Sequence, residues 1–162
     1  MEKGIKMDNN KKFVKDLEKG KTFERLICEK LSPEFSGLRV FEGYQKGFDL
    51  IDSTGYKIEV KTDFESEKTD NIAIEIRCRN SLSGLATTRA KEWIHIFWYN
   101  GEWYFLRCKV LDLKGFIRSN WKYLKKVKGG DDSLSEMVLI DKDLIMNRFD
   151  FYELGATMEY GK

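Results

Sequence analysis

Residues 93–99 read WIHIFWY, apolar at odd and even positions alike. Such a run is expected of a central strand buried on both faces, because a strand with one wet face alternates. Asn100-Gly101 follows directly, and that pair is a strong signal for a two-residue hairpin loop. The chain then returns through 102–110, so this hairpin belongs inside a sheet.

Four more strand-like runs precede it, at 38–42, 47–52, 56–63 and 71–79, separated by Gly, Ser and Thr. Upstream, Phe13, Val14, Leu17, Phe23, Leu26, Ile27 and Leu31 fall at roughly helical spacing over 11–31. Gly20 is expected to divide that stretch into two helical pieces, since glycine in a helix costs about 1 kcal/mol relative to alanine. Pro33, the only proline, ends it. Residues 80–92 read as a loop leading into a short helix, 111–124 as helical, 129–133 as a loop and 137–140 as a strand. Asp141 is placed to cap a short final helix. The order of elements indicates an α/β or α+β domain. Without internal repeats or low-complexity segments, 1–162 reads as a single domain, its core over about 20–110 and 111–162 a C-terminal extension of it.

Composition excludes several classes. No apolar stretch reaches the ~18 residues of a membrane span. The start, MEKGIKMDNNKKF, is polar and lacks an apolar signal segment. Cys28, Cys78 and Cys108 match neither a disulfide framework nor a zinc site, so a cytoplasmic protein with no membrane partner is expected. Neither GxGxxG nor GxxxxGK[ST] occurs, which disfavours a nucleotide-driven enzyme. The net charge of +2, from 29 basic and 27 acidic residues, does not announce a nucleic-acid binder. A carboxylate-rich metal centre would lower the sum, however, so distribution matters more than total. His95, the sole histidine, sits in the apolar run and reads as a core residue. The aromatics of 93–105 read mostly as core, and Asp52, Asp63, Glu65 and Glu67 as turn and surface acids. By parity with Glu59, Asp63 could also stand behind the site.

The strongest chemical signal is the segment GFDLIDSTGYKIEVK. Along its second half Ile58 and Val60 alternate with Lys57, Glu59 and Lys61, one apolar face and one charged. A three-residue loop, Ser53-Thr54-Gly55, with glycine in the left-handed position, sets Asp52 against Tyr56, Leu50 against Ile58 and Asp49 against Glu59. A two-residue loop would mix polar and apolar faces, so the three-residue register is favoured. Opposed carboxylates lie about 5 Å apart at Cβ and repel, which calls for a cation. Lys61 offers part of it. Hard oxygen ligands suit Mg²⁺ or Mn²⁺, which bind substrate phosphates as well.

Asp49 followed by Glu59-Val60-Lys61 across a hairpin, after an acid-bearing helix, resembles the PD-(D/E)XK nuclease superfamily. In that family a helical glutamate a few residues after a small residue often completes the metal site, and GKTFERL supplies Gly20 and Glu24. Phe48 stands where the family name has proline. The segment NIAIEIRCRNSLSGLATTRAKEWIHIF is similar to an element of phage-type members, an acidic strand followed by a Ser-Gly-Leu loop, threonines and a tryptophan-led strand. The likeness covers about residues 20–100.

That resemblance implies an α/β, restriction-endonuclease-like core with a mixed sheet of about five or six strands flanked by helices. It implies a Mg²⁺- or Mn²⁺-dependent endonuclease hydrolysing DNA phosphodiesters, close to Holliday-junction resolvases or to restriction and homing enzymes. Asp49, Glu59 and Glu24 would be its metal ligands, and Lys61 would act on water or transition state. Glu75 would edge the active site, with Ser83, Gly84, Thr87 and Thr88 approaching the phosphate backbone. Basic Arg77, Arg79, Arg89 and Lys91 surround that loop, and a second group, Lys114, Arg118, Lys122, Lys125, Lys126 and Lys128, follows later. Two strands to cut call for two sites, so a homodimer on duplex or branched DNA fits, in host cytoplasm if phage-encoded. The rival readings are an inert nucleic-acid-binding domain on the same fold and a protein-interaction module.

Overall fold

The computed structural model describes residues 2–43, 47–129 and 134–155, with side chains from residue 15 onward. Helix α1 (Glu2–Leu31) is one continuous piece, so Gly20 does not divide it. Its face of Phe23, Ile27 and Leu31, spaced four apart, is buried. That packing outweighs the local cost of one glycine. A Cβ added at Gly20 would meet nothing within 4 Å, so no tertiary contact requires the glycine either. The side chains of Phe13 and Val14 lie outside the described residues.

Among the described residues ten strands and two further helices follow: β1 (Arg39–Val40), β2 (Leu50–Ile51), β3 (Lys57–Thr62), β4 (Asn71–Cys78), β5 (Ser81–Leu82), β6 (Glu92–Tyr99), β7 (Glu102–Lys109), α2 (Val110–Asn120), β8 (Lys125–Gly129), β9 (Ser135–Asp141), α3 (Lys142–Arg148) and β10 (Asp150–Glu153). They form a six-stranded sheet in the order β1-β2-β3-β6-β7-β10 and a four-stranded sheet, β5-β4-β9-β8. In the first sheet β3 and β6 run parallel and the other neighbours antiparallel. The class is α/β with a mixed sheet of six strands, as the sequence predicts.

The central strand is buried on both faces, as its lack of alternation requires. Ile94 and Ile96 of β6 pack with Phe23 and Ile27 of α1 and with Ile58 and Val60 of β3. Trp93 and Phe97 point the other way, into a core with Ile72 and Ile74 of β4, Val138 and Ile140 of β9 and Leu113 of α2. The large sheet therefore carries α1 on one face and the small sheet with α2 on the other. Asn100 (φ +48°) and Gly101 (φ +85°) both take the left-handed conformation of a tight hairpin turn, joining Tyr99 to Glu102 across the ladder.

Several elements depart from expectation. The run at 71–79 does not continue the sheet of β3. It pairs with β9 in the second layer. Within 80–92 the chain forms β5 and a 3₁₀ turn at Gly84–Ala86, with no α-helix. Strands β8 and β10 were not foreseen, the first because its lysines hide the alternation. Gly129 closes β8, and 130–133, read as loop, lie outside the described residues. Asp141 does cap α3, its Oδ1 accepting from the Leu144 amide at 3.0 Å. Among the described residues no helix is long and apolar enough to cross a membrane.

Gly20→Ala is expected to raise stability by about 0.5–1 kcal/mol, since it removes backbone freedom from the unfolded chain without a clash. Urea unfolding checks this, and a lowered midpoint would count against a helix continuous through residue 20.

Candidate metal centre

The loop Ser53-Thr54-Gly55 forms as its composition dictates. Asp52 Oδ1 accepts from the Thr54 amide at 2.9 Å, the Thr54 hydroxyl at 2.7 Å and the Tyr56 amide at 2.8 Å. Gly55 takes φ +85°. This turn sets Leu50 against Ile58, the predicted register. The ladder stops there. Asp49 bends out of the strand, its amide donating to Ile58 O at 2.9 Å and its Oδ2 accepting from the Val60 amide at 2.8 Å. Asp49 thus straddles Glu59 instead of facing it squarely.

The charged face of β3 is not a solvated one. Glu59 pairs with Trp93 across the parallel ladder and lies under the second layer, only 6% exposed. Its Oε1 meets Lys61 Nζ at 2.9 Å, while Oε2 is buried with no hydrogen-bond partner among the described residues. An orphaned buried carboxylate oxygen costs on the order of 1–3 kcal/mol or more. Lys61 keeps 46% of its side chain exposed, so the centre opens to solvent on its side.

Electrostatics ties the predicted residues together. Burial raises the Asp49 carboxyl, and neighbouring Glu59 and Glu24 add to this against the Val60 amide and Lys61, pushing it up to about 7. Glu24, on α1 beside the buried Phe23, is raised by burial and by Glu59, opposed by Lys61, Lys21 and Arg25. For Lys61 burial works downward, but Glu59, Asp49 and Glu75 prevail and its pKa is raised. Lys61 is therefore the cation shared among four carboxylates, Glu24, Asp49, Glu59 and Glu75.

Glu75 is held from both sides, accepting from Ser83 Oγ at 2.8 Å and from Ser135 Oγ at 2.9 Å. Sequence reasoning missed Ser135, whose proximity depends on the pairing of β4 with β9. Gly84, at φ +54°, makes its close approach to β4 itself: an added Cβ would lie 2.3 Å from Glu75 O. The Thr88 hydroxyl is engaged by Gly47 O at 2.9 Å, and the Arg89 amide by the same oxygen. Arg77 forms a loose pair with Glu136 at 3.6 Å, an exposed contact worth little. Arg79, Thr87, Arg89 and Lys91 are exposed around this loop.

Asp63 is not a surface acid. It is buried, accepting from the Ser66 amide at 3.1 Å and the Ala73 amide at 2.8 Å, so it fastens β3 to the second layer. The sequence hid this because the donors are backbone amides of later residues. Glu65 and Glu67 are exposed, as expected. His95 is buried, with Trp93 Nε1 donating to its Nδ1 at 3.3 Å. The three cysteines are free, and burial pushes the Cys108 thiol up to about 12.

Among the described residues no three His, Cys, Asp or Glu side chains converge as a ready-made ion cage. What does fit a hard dication is the donor set: Glu59 Oε2 without a partner, Asp49 beside it and Glu24 near both, all oxygen. Mg²⁺ takes one or two carboxylates and completes its shell with water and substrate phosphate, so a full protein cage is not required. No family model and no curated protein matches the chain.

An acid whose folded pKa is raised stabilises the fold at low pH and loses that contribution as pH rises through the folded value. In EDTA the protein should therefore lose stability between pH 4 and about 7 through Asp49. Asp49→Asn should melt higher than wild type at pH 8 and by a smaller margin at pH 5. Equal melting at both pH values would refute the electrostatic strain at this carboxylate.

Proposed function

We propose that the protein is a Mg²⁺- or Mn²⁺-dependent endonuclease that hydrolyses phosphodiester bonds in DNA. The observation that carries this reading is the buried Glu59 with one unpartnered oxygen, set beside an Asp49 held back from ionising. A fold that needed only a charged surface would leave Glu59 in water. Resemblance of the Asp49…Glu59-Val60-Lys61 hairpin to the PD-(D/E)XK superfamily adds the substrate class.

Asp49 and Glu59 would hold the cation, with Glu24 completing the set from α1. When bound, the cation supplies positive charge to the phosphodiester and lowers the pKa of the attacking water. It would also stabilise the ionised form of Asp49, reversing the strain described above. Without a cation bound, Glu59, Asp49 and Glu75 raise the Lys61 pKa, so it stands in the centre as an ammonium. As an exposed cation beside Glu59 it donates hydrogen bonds to the phosphoryl oxygens and offsets charge that grows in the transition state. Arg89 and Lys91, in the segment leading into β6, would hold the substrate backbone by charge.

Plasmid and branched-DNA substrates incubated with Mg²⁺, Mn²⁺ or EDTA test the proposal. Cleavage is expected with either metal and not with EDTA. Glu59→Ala should abolish it, and Lys61→Ala should lower the rate by about 10²–10³, the range for loss of one charge-stabilising donor. Cleavage persisting in EDTA and in both variants would sink the mechanism. DNA binding without any cleavage would instead favour an inert binding domain.

A further inference from the structure

A second feature borders the turn that follows Ser83, lined in part by Leu85 and Ala86. Ile76, Leu85 and Ile117 floor an open groove of about 500 Å³, rimmed by Lys114, Arg118 and Trp121. That volume falls within the range of ligand-sized sites, roughly 300–1,000 Å³. The floor comes from β4, the 3₁₀ turn at Gly84–Ala86 and α2. Strand β4 carries a bulge between Glu75 and Arg77. There Glu75 turns its carboxylate to Ser83 and Ser135 while Ile76 lines the groove. One end of the groove is thus one residue from a carboxylate that Lys61 feels.

The rim is built for a polyanion with flat rings. Over 110–129 the chain has six basic residues against one acid, Asp112. Among the described residues no carboxylate pairs with Lys114 or Arg118. Trp121 is 43% exposed, an unusual place for its ring, and Lys126 Nζ sits 4.4 Å from the ring centroid. Lys126 also donates to Trp121 O, so the indole is held in place from one side. Tyr123, two residues on, is 86% exposed. Basic Lys114 and Arg118 beside a half-exposed Trp121 over an apolar floor match single-stranded nucleic acid, whose bases stack while its phosphates pair with cations. A duplex keeps its bases stacked inside and has no use for the floor.

We infer that this groove binds an unpaired DNA strand, a base stacking on Trp121 over Ile76, Leu85 and Ile117 and the flanking phosphates meeting Lys114 and Arg118. Only the choice of DNA rests on the nuclease reading. The groove would lead an unpaired strand or flap past Glu75 toward the acidic centre, favouring branched over fully duplex substrates.

Fluorescence anisotropy with fluorescein-labelled oligothymidine, in EDTA and across a salt series, tests the assignment without cleavage. Trp121→Ala should weaken binding roughly tenfold, and Trp121→Phe should recover most of the loss. Lys114→Ala with Arg118→Ala should lower the slope of log K against log salt by about 1.4, two phosphate contacts at ~0.7 each. Unchanged thermal melts show that the variants fold, as these side chains lie on a rim. Wild-type affinity in Trp121→Ala, equal affinity for duplex, or no binding by the wild type would each overturn the groove. Strand binding by a wild type that never cleaves DNA would support the groove and remove the nuclease. Cleavage by the wild type, with groove variants binding like it, would remove the groove alone.

Discussion

The parallel pairing of β3 with β6 is the constraint on which the rest depends. Parallel neighbours need a long crossover, usually a helix. Here residues 63–91 form that crossover with β4, β5 and two 3₁₀ turns. Strand β4 then recruits β9, and the connection becomes a second layer lying on the large sheet. That layer covers Trp93 and Phe97, and it also covers Glu59, which shares their face. Asp63 secures the arrangement at the point where the chain leaves β3, holding the amides of Ser66 and Ala73. A helix in the same place would leave no strand edge to bring Glu75 and Ser135 toward Lys61.

Burying like charges is costly unless a cation is present, and the centre meets that cost only in part. Lys61 occupies one oxygen of Glu59 and leaves the other bare. Glu24 and Asp49 both stay above their ordinary range despite Lys61, Lys21 and Arg25 nearby. Elsewhere the fold satisfies its buried charges. Glu92, equally buried, accepts from Arg107 and from the Tyr56 hydroxyl, and Arg107 continues to Glu34 at 2.8 Å. Two buried glutamates in adjacent strands are thus treated differently, one fully partnered and one not. Perturbed and under-compensated groups concentrate where proteins do chemistry.

Features legible in the sequence were those set by local chemistry. The Asp52 turn and the period of β3 fixed the hairpin register, and the unbroken apolar run of β6 announced a strand buried twice over. The bend at Asp49 was not legible, because it depends on where the ladder with β3 ends. Neither was the fate of the charged face: alternation told that Lys57, Glu59 and Lys61 share a side, but a distant β9 decides whether water reaches it. Ser135 and the partners of Asp63 were invisible for the same reason. Gly84 is expected from the sequence to approach a phosphate backbone, whereas the close contact in the structure is with Glu75 O of its own chain, a partner set by tertiary packing.

Arg79 (φ +51°) and Asn80 (φ +63°) form a two-residue hairpin loop between Cys78 and Ser81, both in the left-handed region. Asparagine tolerates that conformation, whereas arginine does so at a cost of about 1 kcal/mol or more. Beyond β5 the chain reaches Ser83 and a Gly84 that tolerates no Cβ. Positive φ at Arg79, Asn80 and Gly84 thus brackets β5 and Ser83, whose hydroxyl donates to Glu75, ahead of the turn that lines the groove. Strain of this kind persists only where the surrounding structure over-determines it, and here the bulge of β4 and the 3₁₀ turn do so from both sides. The loop therefore faces two ways, with Ser83 bonded to the Glu75 carboxylate and Leu85 and Ala86 lining the basic groove.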